Sequence, residues 1–314
     1  IISIFLFFID QFLFIWLIFF FLGVFLSIIS PAMSKAIIEL YPARTRGSLT
    51  GVKQIIVSIA ALLTAFLFPY GAVHAGWRPA YISAGMLIIL AGLTILFYKN
   101  GRTNPGKSGV RLNRDTMVYL WRNRSLRTAC FIVPFLFIGQ FVTATYLMVD
   151  LNGRFHIPLV QAGMFLALMQ LGSVAGRGVF GLIGDWLFLQ KRELLLSLIT
   201  GLTGIFLLLF ALLPDSNMIL LGTIVFFIGF TGAGWNAIYL VFVSEAVEME
   251  FVGVANGLAM MLGYVGTTVG TSFFGFLSEV TGGFIYTWVV MAAFMFFNSV
   301  LMFRLNKINR SLGV

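Results

Sequence analysis

The chain is a succession of apolar runs about as long as a bilayer is thick, and no other feature restricts its fold so strongly. The stretches 12–29 and 129–149 contain no charged residue. A soluble core would interrupt such runs with polar residues at the helical period, whereas a helix crossing the hydrocarbon layer needs about 20 consecutive apolar residues. Composition agrees: 60% of the 314 residues are hydrophobic and 10% charged, with a mean hydropathy of +1.01, against roughly half and a quarter in soluble domains. The expected fold class is therefore an all-α polytopic membrane protein. Charge, Pro and Gly punctuate the chain into spans near 11–38, 48–69, 77–98, 128–149, 158–183, 194–213, 217–243, 252–277 and 284–304. Residues 1–9 are apolar, stop at Asp10 and have no basic segment before them, so they read as the tail of one more helix rather than a signal peptide.

The formal charge of +9 does not imply nucleic acid as a partner, because the basic residues sit between apolar spans, as an orientation signal would. The gaps alternate. One side holds Arg44 and Arg46, the 99–127 segment with its eight Lys and Arg, then Lys191 and Arg192, and finally Arg304, Lys307 and Arg310; the other holds Arg78 and Arg154. The positive-inside rule then makes the central loop and the C-terminus cytoplasmic, in a multi-pass protein of the plasma membrane. A lone Cys130 excludes an intrachain disulfide and a cysteine cluster, and His74 and His156 are too few for a His-rich site, so neither metal nor cofactor is expected. No Gly-x-x-x-x-Gly-Lys-Ser/Thr loop occurs, so a gradient rather than a nucleotide would supply energy.

The 99–127 segment is the long polar stretch, and it divides the chain into an N-terminal group of helices (1–98), a linker, and a C-terminal group of six (128–314). Within it, 115–121 reads either as a short helix at the membrane surface, with Trp121 at headgroup depth and arginines near anionic lipid, or as a solvated loop. The two groups are related by a shift of 206 residues. That shift carries Gly23 onto Gly229, Glu39 onto Glu245, Gly47 onto Gly253, Gly51 onto Gly257 and Gly76 onto Gly282. Parallel repeats of this kind build transporters whose halves rock about a midplane site. By symmetry the first group is expected to lack two helices and most of a third.

Gly181-Leu182-Ile183-Gly184-Asp185, followed by Lys191 and Arg192 at a short turn, resembles the loop motif of the major facilitator superfamily, Gly-x-x-x-Asp and a basic cluster. The Pro42-Ala43-Arg44-Thr45-Arg46-Gly47 turn resembles that family's connection between helices four and five, and Gly76-Trp77-Arg78 its usual start of helix six. Trp186 stands where a basic residue is common, and two extra residues precede Lys191. The resemblance implies a 6+6 pseudo-symmetric bundle of which the chain supplies helices three (in part) to twelve. It implies a monomeric secondary transporter, symporter or uniporter, that moves a small-molecule solute through the lipid bilayer by alternating access.

Independently of the name, Gly181 lets a neighbouring helix approach, and Asp185 could accept from the N-terminus of the helix starting near 252. Glu245 could pair with Arg192 or Arg177. With Lys191 and Arg46 these residues form a candidate conformational latch, the alternative being that they anchor helix ends at the interface. Glu39 is the repeat equivalent of Glu245 and is placed to pair with Lys35 one turn earlier.

Candidate substrate contacts are the polar residues that apolar helices would not otherwise tolerate. These are Gln140, Thr143 and Tyr146, spaced by three; Gln170; Asn236 and Tyr239; and Tyr264 and Thr267. Each could equally be a helix-to-helix hydrogen bond. Lys53 within a span either snorkels or meets an anion, and the 51–54 stretch, with Gln54, resembles one found in facilitators of cyanate, nitrate and other small anions. Rival readings are a non-transporting receptor or scaffold of the same fold, and an inactive truncated transporter. An intramembrane enzyme would need clustered acid, base or nucleophile at membrane depth, and none is apparent, so no catalytic residue is assigned.

Overall fold

A computed structural model of the chain describes residues 12–75, 77–93, 114–214 and 217–312. They form helices α1 (Phe12–Ser27), α2 (Ile29–Leu40), α3 (Ala43–Ala75), α4 (Trp77–Leu93), α5 (Arg114–Arg122), α6 (Arg124–Arg154), α7 (Leu159–Trp186) and α8 (Arg192–Leu212). These are followed by α9 (Met218–Gly232), α10 (Trp235–Glu245), a 3-10 turn (Met249–Phe251), α11 (Val252–Thr281) and α12 (Ile285–Leu312). The expected helical stub at 1–9, Gly76 and most of the linker lie outside the described residues. The described end of the linker is helical in α5, so 115–121 forms a helix and not a loop.

Six segments are long and apolar enough to cross a membrane among the described residues: α6, most of α7, α8, α9 with α10, the 3-10 turn with α11, and most of α12. The remaining expected spans correspond to α1 with α2, α3 and α4. Two spans expected to be continuous are broken, each for a local reason. Between α1 and α2 the chain turns at Ile28, three residues before Pro31, whose missing N–H cannot complete the ladder. Between α9 and α10 the break falls at Ala233-Gly234, and a Cβ on Gly234 would lie 2.6 Å from the Phe180 ring, so the bend needs a glycine.

These breaks obey the repeat read from sequence. The shift of 206 residues carries Ile28 onto Gly234, Ile29 onto Trp235 and Ala43 onto Met249, so the break in each span and the start of the helical segment after it fall in register in the two groups. The second group has a continuous buried core reaching from Leu120 to Leu305, with Trp235, Trp288, Tyr239, Phe210 and Phe274 wholly enclosed. In α1 and α2 Ile18 and Ile38 are the apolar side chains buried among those described, and Phe, Leu and Ile point outward. That inside-out distribution suits lipid as the solvent, where packing of small residues rather than apolar burial brings helices together. Trp186, the last residue of α7, is 81% exposed, at the interfacial depth where its ring is favoured.

The groups meet chiefly where α3 packs on α7 and α10 and where α2 packs on α11. On α3 and α7 the approach is backbone to backbone: a Cβ on Gly47 would be 2.8 Å from the Gly181 carbonyl oxygen, and one on Gly51 2.7 Å from that of Arg177.

Candidate substrate cavity and interhelical latch

Two polar sites lie along the α3–α7 seam. The first is a cluster at the arginine-rich end. The Pro42–Arg46 turn, closed by Thr45 N–H donating to the Pro42 carbonyl at 3.1 Å, leads into α3 with the Gly47 and Ser48 N–H groups facing α7. Asp185, near the end of α7, accepts from both: Gly47 N at 2.9 Å on Oδ1 and Ser48 N at 2.7 Å on Oδ2, with Ser48 Oγ also donating to Oδ2 at 2.7 Å. A carboxylate at a helix start is favoured by the hydrogen bonds and by the helix dipole. Asp185 therefore joins α3 of the other group rather than α11, its expected partner. The glycine approach brings α3, not α11, against this face of α7.

Arg192, at the start of α8, ties the cluster together. Its Nη2 lies 3.4 Å from Asp185 Oδ1, while Nε and Nη2 donate to Glu245 Oε2 and Oε1 at 2.7 and 3.2 Å. Glu245, closing α10, also lies 3.7 Å from Arg46 Nη1, and Arg46 donates to the Ile38 and Tyr41 carbonyls at the end of α2 at 3.2 and 3.1 Å. Asp185 and Arg192 are buried. Of the expected set, Gly181, Asp185, Arg192, Glu245 and Arg46 thus come together across α2, α3, α7, α8 and α10. Lys191 is exposed beside them, and Glu39 pairs with Lys35 at 3.7 Å instead.

Of the two partners expected for Glu245, Arg192 is the one it meets, and Arg177 is not in the cluster. It lies two turns of α7 deeper and is 5% exposed. Its Nη1 donates to the Gln54 carbonyl at 2.7 Å and to Ser58 Oγ at 2.6 Å, and its Nε to the Ala233 carbonyl at 3.2 Å. The last acceptor exists because of the helix break: the carbonyls ending α9 have no continuing helix to satisfy them, and Arg177 and Asn236 Nδ2, at 3.2 Å, both use that of Ala233. No carboxylate lies within ion-pair distance of Arg177 among the described residues.

Arg177 lines a cavity of about 170 Å³ between α3, α6, α7 and the end of α9, together with Ser58, Gln140, Thr143, Gln170 and Ser173. Three expected substrate contacts, Gln140, Thr143 and Gln170, are therefore at one site. Asn236 supports it from behind, donating to Gln140 Oε1 at 2.7 Å. The Thr143 hydroxyl is turned back onto the Gly139 carbonyl at 2.6 Å. The others are used elsewhere. Tyr146 donates to the Thr271 carbonyl at 2.8 Å and Tyr239, fully buried, to that of Ala129 at 3.0 Å; Thr267 bonds its own helix. Tyr264 packs its ring on Phe137 and Phe141. Lys53 donates to Ser34 Oγ at 3.4 Å, and Gln54 contributes its carbonyl to Arg177 rather than lining the cavity. Sequence reasoning missed Ser58 and Ser173, whose hydroxyls meet at 3.1 Å; their i, i+4 relation to Gln54 and Arg177 was the available signal.

Comparison with known proteins gives a consistent picture. A family profile described as Major Facilitator Superfamily matches residues 1–271. Monocarboxylate transporter 13 of Rattus norvegicus is 25% identical over 275 residues, and its Bos taurus counterpart 25% over 264 residues; each alignment covers 83% of this chain and 60% of the relative. The uncharacterised MFS-type transporter YceJ of Bacillus subtilis is 31% identical over 151 residues, covering 48% of this chain and 37% of the relative. The chain thus spans about 60% of the length of the curated monocarboxylate transporters it matches.

Proposed function

We propose that this chain, which belongs to the major facilitator superfamily, carries a small organic anion of the monocarboxylate class across the membrane by alternating access. The observation that carries the reading is Arg177, a buried cation that opens onto the cavity between the two helix groups with only neutral protein acceptors. A charge at membrane depth costs on the order of 3 kcal/mol even on scales that allow for relaxation. Carbonyls and hydroxyls offset part of that, and the missing counter-ion is what a carboxylate would bring, in the geometry a guanidinium fork accepts best. The names of the mammalian relatives point to the same chemistry. Gln140 and Gln170 would supply the neutral polar contacts that orient the remainder of the solute.

In this mechanism the Asp185–Arg192–Glu245–Arg46 cluster holds the groups together at the arginine-rich end, which the positive-inside rule makes cytoplasmic. Rocking of one group on the other then requires those bonds to break, with the solute held between them meanwhile. The protein does this as a monomer in the plasma membrane, and performs no covalent chemistry.

The test is uptake of radiolabelled short monocarboxylates into proteoliposomes containing the purified chain. Loss of one charge-assisted hydrogen bond, about 1.5–3 kcal/mol, predicts that Arg177→Gln lowers uptake roughly 10- to 150-fold below saturation. Arg177→Lys, which keeps the charge without the fork, should fall between. Wild-type uptake by Arg177→Gln would overturn the reading, as would uptake restricted to neutral or cationic solutes.

A further inference from the structure

We infer that a groove beside α5, remote from the cavity, holds an anionic phospholipid of the leaflet facing the arginine-rich side. The groove, about 470 Å³, is walled by Met117, Val118 and Trp121 of α5 and Leu258 of α11, and Arg114, Arg122 and Arg127 complete its lining. Val118 and Trp121 are 45% and 49% exposed, and all three arginines are exposed.

The groove is fixed rather than floating. Leu120 buries its side chain in the core, and the Tyr119 ring packs on Phe251 with its hydroxyl donating to Glu248 Oε1 at 2.7 Å. Asn123, which caps α6 through Leu126 N at 2.9 Å, donates to the Ala246 carbonyl at 2.6 Å. These contacts bind α5 and the Asn123 that follows it to α6 and to the α10–α11 connection, so the outward apolar face is held open by construction. Among the described residues no carboxylate lines the groove, so the arginines are its dominant charges.

Depth argues for lipid over a soluble ligand. The floor lies where two membrane-crossing segments begin, α6 at Arg124 and α11 at Val252, so Trp121 and the arginines stand at headgroup level, where an indole and cations are both favoured. A free phosphate would have no use for the apolar walls, and an acidic peptide arriving from water would leave Trp121 and Val118 only partly covered. A phosphodiester with its first acyl carbons satisfies both halves of the groove.

Native mass spectrometry of the purified 314-residue chain, loaded with phosphatidylglycerol or phosphatidylcholine of identical acyl chains, tests the assignment. Each arginine near an anionic surface is worth roughly fivefold in binding, so Arg114→Gln/Arg122→Gln/Arg127→Gln should lose the preference for phosphatidylglycerol by more than about tenfold. The corresponding triple lysine variant should keep most of it, and Arg122→Gln alone should reduce it about fivefold. Equal retention of the two lipids by the wild type, an unchanged preference in both glutamine variants, or displacement of the lipid by inorganic phosphate alone would overturn the proposal. The readout does not involve transport, so it stands or falls separately from the function of Arg177.

Discussion

Asp185→Asn isolates the latch, because the amide is nearly isosteric and the consequences can be worked from the contacts. The carboxylate accepts from Gly47 N, Ser48 N and Ser48 Oγ and lies against Arg192. Asparagine keeps one acceptor oxygen, and whichever way its amide turns, the NH2 faces a backbone N–H. One charge-assisted bond is lost, about 1.5–3 kcal/mol, and with it the attraction of the charge for the start of α3, about 0.3–1 kcal/mol. Against this, a neutral side chain avoids the desolvation that buried Asp185 bears, which places the net effect near the lower end, about 2 kcal/mol. That corresponds to a roughly 30-fold rise in the ratio of unlatched to latched molecules.

Ile55 reports that ratio. Its Cδ1 would lie 3.2 Å from a Cβ on Gly178, so it is covered by α7 only while the seam is closed. In a Cys130→Ala background, Ile55→Cys should be labelled by a membrane-impermeant maleimide on the arginine-rich side at a rate proportional to the unlatched fraction. Adding Asp185→Asn should raise that rate at least about tenfold and lower solute flux at equal surface expression. Glu245→Gln should raise it too, and the double variant should show less than the sum of the two, because both carboxylates act through Arg192. An unchanged labelling rate in Asp185→Asn, or strict additivity with Glu245→Gln, would refute the latch.

Gly51 and its repeat equivalent Gly257 should respond oppositely to a larger side chain. Gly51→Val places Cβ 2.7 Å from the Arg177 carbonyl and should lower the detergent melting temperature by an amount matching about 1–3 kcal/mol of overpacking. Gly257→Ala, whose nearest neighbour is Pro31 Cγ at 3.9 Å, should be neutral or mildly stabilising in the same assay. Tyr119 should titrate later than an ordinary tyrosine, because the hydrogen bond to Glu248 favours the protonated phenol. Its contribution to docking α5 is then present throughout the neutral range and is lost as pH rises through the raised value, above about 10. Tyrosinate absorbance during alkaline titration should lose one late-titrating group in Tyr119→Phe relative to the wild type.

Much of the fold was legible because lipid demands long apolar segments, so the lengths between charges locate helices without reference to their neighbours. The register of the two groups was legible for a similar reason: the glycines and glutamates that mark helix ends recur at the shift of 206. What a single sequence does not contain is which helix lies against which. Asp185 was rightly placed at a helix end as an acceptor, yet assigned to α11, since nothing local distinguishes the start of α3 from that of α11. Arg177 was grouped with the basic cluster by charge alone, whereas its role follows from a break between α9 and α10 that frees the Ala233 carbonyl. The break itself had a signal in Gly232-Ala233-Gly234. Tyr239 and Tyr264 were selected for polarity at membrane depth, but a phenol is largely apolar, and packing absorbed one ring while a backbone carbonyl took the hydroxyl of the other.

The arrangement on α7 suggests why solute binding and unlatching should be linked. Ser173, Arg177, Gly181 and Asp185 follow one another at intervals of four, which places them in a single stripe on the helix. They meet, in order, Ser58, then the Gln54 carbonyl and Gly51, then Gly47, then Gly47 and Ser48 of α3. Polar ties therefore sit at both ends of a glycine-lined seam, with Arg177 and Asp185 roughly 12 Å apart along the axis. In the proposed mechanism a carboxylate arriving at Arg177 competes with the Gln54 carbonyl and the Ser58 hydroxyl for the same guanidinium N–H groups. Any bond so transferred is one fewer between α3 and α7, so the solute binds more strongly to the state in which the seam is looser. Such differential affinity is the condition for a ligand to shift a conformational equilibrium. It requires no path of coupled residues beyond the seam itself, since the groups that would grip the solute are those that hold α3 to α7.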